Sequence, residues 1–81
     1  MGKIMKKSEA RILLYLENAD PIFCFTYYIS HKLGMDYIYL VRLLKSMCLR
    51  RWVLKHKRSN KAFYRLSSSA PLTTAKKIME G

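Results

Sequence analysis

The chain has 81 residues, 51% of them hydrophobic, which supplies one small core and excludes both a two-domain protein and an intrinsically disordered one. Its longest apolar runs, 22–25 and 37–41, are far too short to span a membrane. Sixteen Lys and Arg against five Asp and Glu leave a net charge of +11, which points to a polyanionic partner.

Ser8 can cap a first helix and Glu9 suits its positive end, while Ile12, Leu13 and Leu16 mark one apolar face. A helix is therefore predicted over 9–18, and it must stop before Pro21. Ile22, Phe23 and Cys24 are a β-prone run, read as a short edge strand. Thr26 can cap a second helix over 27–33, which Gly34 ends by taking a left-handed backbone. Asp36 caps a third, over 36–49. Two helices joined by so tight a turn must cross steeply, as in a helix-turn-helix.

In the third helix Leu40, Leu43, Leu44 and Met47 cluster on one face, flanked by Tyr37 and Cys48. Arg42, Lys45 and Ser46 lie opposite, with Ile38 and Tyr39 beside them and Val41 at the boundary. The period then changes to two, predicting strands over 52–56 and 62–66 with a basic tip of Lys57, Arg58, Ser59, Asn60 and Lys61. Ser67, Ser68 and Ser69 belong to a connector, 67–70, before a last helix over 71–80 with Pro71 in its first turn. The predicted fold class is α+β, mainly α: a single domain with a three-helix core over 8–66, a β-hairpin and a short C-terminal helix.

Charge is unevenly spread. Residues 1–34 carry a net +2, residues 35–66 +8 and residues 67–81 +1. The excess thus sits in a segment that also forms core, as a folded binding face requires. Enzymatic chemistry finds little support. The carboxylates Glu9, Glu17, Asp20, Asp36 and Glu80 are scattered, and Gly2, Gly34 and Gly81 make no phosphate-cradling loop. His31 and His56 stand 25 positions apart without metal-ligand spacing, so neither a metal nor a cofactor is expected. Cys24 and Cys48 are too few for a disulfide framework. With no signal-peptide pattern behind Lys3, Lys6 and Lys7, a cytoplasmic or nucleoid-associated setting is expected. Arg50 and Arg51 beside Cys48 could lower its thiol pKa, although a buried, inert cysteine is the commoner outcome.

The order helix, strand, helix, tight turn, helix, hairpin, helix resembles a winged helix-turn-helix domain of the MarR-like and ArsR-like transcription regulators, over about residues 8–66. The run from Phe25 to Gly34 is similar to the first half of the motif, with Thr26 at its start, a small residue at Ser30 and glycine in the turn. Leu40, Leu44 and Met47 match apolar positions of the recognition helix, Trp52-Val53 the pair entering the wing, and Tyr64-Arg65-Leu66-Ser67 its closing strand. Where those regulators place glycine before the wing, this chain has Arg51. Its third helix carries Tyr37, Ile38, Tyr39 and Val41 where a base reader has polar side chains.

The resemblance implies that the third helix enters the major groove of double-stranded DNA and that the wing, 57–61, lies on the backbone or in the minor groove. Arg42 could then read guanine, Lys45 a base edge or phosphate, Tyr39 and Ser46 phosphate oxygens, and Ile38 a thymine methyl. Lys57, Arg58, Asn60 and Lys61 are the wing candidates, and Arg50, Arg51 and Lys55 would add flanking phosphate contacts or simple solubility. The bland alternative for Arg42 and Lys45 is a solvated helix face; Ile38 could equally be a subunit contact, and Tyr28 and Tyr37 read first as core or dimer-face residues. The expected function is a DNA-binding transcription regulator, a repressor that occludes a promoter as a homodimer. The alternatives are a chromatin-like protein that coats DNA without sequence preference, and a ribosomal or RNA-associated winged helix. The absence of glutamine leans towards a thermophile, and with it an archaeon or one of its viruses or plasmids.

Overall fold

In the computed structural model, which describes residues 5–80, helix α1 runs Lys7–Asn18 and starts earlier than Ser8 predicts. Lys6 is the capping position, and the side chain of Glu9 closes it: Oε1 accepts the Lys6 backbone N–H at 2.9 Å. Ser8 is left inside the first turn, where its hydroxyl shares a 3.2 Å hydrogen bond with that of Tyr39. Ala10, Ile12, Leu13 and Leu16 turn into the core.

The run 22–24 is not a strand. Asp20 and Pro21 impose a 3₁₀ turn over Pro21–Phe23, with the Asp20 carboxylate accepting the Ile22 N–H at 3.1 Å. Local Asp-Pro turn chemistry outweighs the β propensity of the three side chains. Extended pairing comes one residue later: Phe25 bridges Phe63 antiparallel, and the Cys24 carbonyl accepts the Tyr64 N–H at 2.8 Å. Helix α2, Thr26–Leu33, is therefore capped by the backbone of Phe25, and the Thr26 hydroxyl donates across to the Ala62 carbonyl.

Gly34 closes α2 with φ 65°. Met35 N–H reaches back to the Ser30 carbonyl at 3.0 Å, and the Ser30 hydroxyl donates to the Met35 carbonyl at 2.6 Å. Helix α3, Tyr37–Leu49, follows with the Asp36 carboxylate accepting the Tyr39 N–H at 3.1 Å. Leu40, Leu43, Leu44 and Met47 are its buried face, as the helical period predicts.

The end of α3 repeats the closure of α2 with a different residue. Trp52 N–H bonds the Met47 carbonyl at 2.9 Å and Arg51 N–H the Cys48 carbonyl at 3.0 Å, with Arg51 at φ 63°. Arg51 thus adopts the backbone that glycine would, and its carbonyl also accepts the Ser67 hydroxyl. The two closures predict opposite responses. A Cβ on Gly34 would meet nothing within 4 Å, so Gly34→Ala costs only the left-handed penalty, about 1 kcal/mol. Arg51→Gly removes that penalty and raises stability by up to about 0.5 kcal/mol after the added freedom of the unfolded chain is subtracted. Urea unfolding of the two variants checks both signs.

Strands β1, Val53–Arg58, and β2, Lys61–Leu66, pair antiparallel from Val53–Leu66 to Arg58–Lys61. The strands extend further towards the tip than predicted, and the tip shrinks to Ser59-Asn60, both left-handed (φ 48° and 66°). Such a turn matches the twist of paired strands, so Lys57, Arg58 and Lys61 become strand residues. Trp52 is buried just ahead of the first strand.

Helix α4, Leu72–Glu80, packs along α1, with Ala75 fully buried and Lys76 Nζ 3.5 Å from Glu17. Met5 and Ala75 both join the core, which therefore reaches beyond the span 8–66 at either end. The described residues form four α-helices and one two-stranded hairpin around a single core, α+β and mainly helical. No helix among the described residues is long and apolar enough to cross a membrane.

Candidate nucleic-acid interface

The outer face of α3 is what its buried face leaves over. Because Leu40, Leu43, Leu44 and Met47 are fixed in the core, Ile38, Tyr39, Arg42 and Lys45 project outward, with Ser46 and Val41 half-buried at the margins. Ile38 is 64% exposed, an apolar side chain that the described residues leave largely uncovered. Among the described residues neither Arg42 nor Lys45 has a carboxylate partner. Tyr37 is half-exposed, so it is not the core residue its flank position allows.

The hairpin sorts its side chains by alternation. Val53, Lys55 and Lys57 share a face with Ala62, Tyr64 and Leu66, the face whose Val53 and Tyr64 are buried against the body. Lys55 on this face lies close enough to Cys48 of α3 to act on its thiol. Leu54, His56 and Arg58 share the opposite face with Lys61, Phe63 and Arg65. There His56 stacks on Phe63 at 5.7 Å, and Lys61 Nζ sits 4.4 Å above the ring of Phe25. Asn60 is exposed in the turn and Arg51 is exposed at the junction.

Arg50 stands apart from the other predicted contacts. Its Nη1 lies 3.3 Å from Glu9 Oε2, and its guanidinium covers the Trp52 ring at 4.6 Å. Glu9 is 1% exposed and the Arg50 side chain 37%, so this pair ties the start of α1 to the end of α3. Arg65 is a cation the sequence reading passed over; its place two positions from Phe63 on an alternating strand puts it on the face of Arg58. Leu49, 82% exposed at the end of α3, was also passed over.

Neither thiol is activated. Burial pushes the Cys24 pKa up and the nearby Asp20 pushes it further; burial also raises Cys48, with Lys55 only partly opposing. The lowering of Cys48 by Arg50 and Arg51 is not found, since Arg50 turns to Glu9 instead. No group of three or more His, Cys, Asp or Glu side chains converges among the described residues. Comparison with protein-family models, with curated proteins and with solved structures finds no match.

Proposed function

We propose that the chain is a winged helix-turn-helix regulator that binds double-stranded DNA, with α3 in the major groove and the hairpin on the backbone or minor groove, and that it acts as a repressor. The observation that carries the reading is the pairing of an α2–turn–α3 unit with Arg42 and Lys45 outward on α3, neither held by a carboxylate among the described residues, beside a hairpin bearing Lys55, Lys57, Arg58 and Lys61. Duplex DNA supplies the regularly spaced anions that such a face lacks.

Pull-down of fragmented genomic DNA at near-physiological salt, followed by sequencing, tests it. A few sharp peaks support a site-specific regulator. Even, salt-sensitive coverage supports the second reading, a coating protein, which the outward Tyr37, Ile38 and Tyr39 favour because they offer few hydrogen bonds to base edges. In either case Arg58→Ala weakens all duplexes alike and lowers the slope of log affinity against log salt by about one unit.

A homodimer belongs to the proposal, because one helix reads few base pairs and paired half-sites about one helical turn apart double the readout. An open groove of about 630 Å³, lined by Leu14, Tyr15, Phe23, Leu33 and Met79, borders α1 and α4 and is the surface proposed for it. Light scattering at micromolar concentration should give twice 9.6 kDa; a value near 9.6 kDa removes the dimer.

A further inference from the structure

A second concave surface lies on the far side of the hairpin. Where the 3₁₀ turn at Pro21–Phe23 approaches the strands, a cleft of about 430 Å³ opens, within the usual range for small-ligand sites. Part of its lining is apolar, from Leu16, Ala19, Ile22, Cys24 and Phe63. Ile22 is 62% exposed in it, apolar surface that none of the described residues covers. The rest of its lining includes three cations, Arg58, Lys61 and Arg65, all from the hairpin face opposite Val53, and no acidic side chain among the described residues lines it.

The register sharpens the chemistry. Arg58 and Lys61 are directly opposed across the strands, and neither has a carboxylate partner among the described residues. Opposed like charges destabilise a strand pair, so an anion between them relieves a repulsion built into the hairpin. A phosphate backbone could do that, but it has no apolar body to place on Ile22 and Phe63. One molecule that satisfies both halves of the cleft has a carboxylate head and a short hydrocarbon tail.

We propose that this cleft binds a medium-chain fatty carboxylate, its head on Arg65, Arg58 and Lys61 and its tail on Leu16, Ile22 and Phe63. For the part that concerns DNA, the inference rests on the regulator reading above: a head group that occupies Arg58 and Lys61 withdraws them from phosphate, so carboxylate and duplex weaken each other reciprocally.

The test is calorimetric titration of the full chain with decanoate, acetate and decyltrimethylammonium below their micellar concentrations, with amide NMR shifts recorded alongside. Decanoate should saturate one site, moving the amides of Ile22, Cys24, Phe63 and Arg65, while acetate and the cation of equal tail length leave them in place. Arg65→Gln, an exposed strand position outside the proposed DNA contacts, should cut decanoate affinity about tenfold through loss of a forked pair. Ala19→Phe should block the tail. Retained NMR dispersion in both variants separates these effects from misfolding.

Equal binding of acetate or of decyltrimethylammonium overturns the proposal, as do shifts confined to the groove beside α1 and α4 or unchanged affinity in Arg65→Gln. Decanoate binding by a chain that ignores duplex DNA leaves the site standing and removes the regulator reading. DNA binding without decanoate binding does the reverse.

Discussion

Replacing Glu9 by alanine lowers stability by about 2–3 kcal/mol, a melting shift of roughly 10–20 °C for a domain of this size. The carboxylate has two partners, and both lose it. The Lys6 N–H, held at 2.9 Å, becomes an unsatisfied donor at the start of α1, and Arg50 Nη1, at 3.3 Å, loses the anion that keeps it over Trp52. Arg50 is 37% exposed and can turn to water, so the loss stays below that of breaking a fully buried pair, about 3–5 kcal/mol. Glu9→Gln keeps the acceptor for Lys6 and should cost about 1 kcal/mol. It also frees a guanidinium at the end of α3, so the salt slope of duplex binding should steepen by up to about one unit. Thermal unfolding of the two variants checks the order, and an equal loss in both would mean that the ion pair alone carries the contribution.

The other large effect falls on Arg42. Its guanidinium is the forked donor on the outward face of α3, so Arg42→Ala should cost about 2 kcal/mol on a preferred site, close to 30-fold, and far less on random duplex. Arg42→Lys should not restore the preference, since a single ammonium cannot span two acceptors on one base edge. Competition binding with preferred and scrambled duplexes reads the difference. A uniform loss on every sequence would remove α3 as a reader and leave it as a phosphate contact.

The parts of this molecule that were legible in its sequence are those decided within one turn of chain. Asp36 ahead of the Leu40, Leu43, Leu44 and Met47 pattern fixes both the start and the rotation of α3, and Gly34 fixes the end of α2. The outward Arg42 and Lys45 follow from that rotation alone. What was not legible depends on partners far along the chain. Arg50 reads as one more surface cation until Glu9, 41 positions earlier, is seen beside it. Thr26 reads as a helix cap until Ala62 takes its hydroxyl, and the strand placed at 22–24 moves to Phe25 because its partner is Phe63. In sequence the hairpin reads shorter than it is, because Ser59-Asn60 lacks the glycine that usually marks a two-residue turn. The alternation that divides its cations between two faces emerges only with the full strand length.

The opposed Arg58 and Lys61 have a consequence for how the chain responds to its surroundings. With +11 on 81 residues and two cations facing each other at the hairpin end, the free chain is most strained in dilute buffer, and added salt eases it by screening. The same screening loosens any hold on a polyanion. Ionic strength therefore drives endurance and grip in opposite directions: on the proposed reading, a bound duplex does for the opposed cations at low salt what counterions do at high salt, and the stability gained on binding shrinks as salt rises.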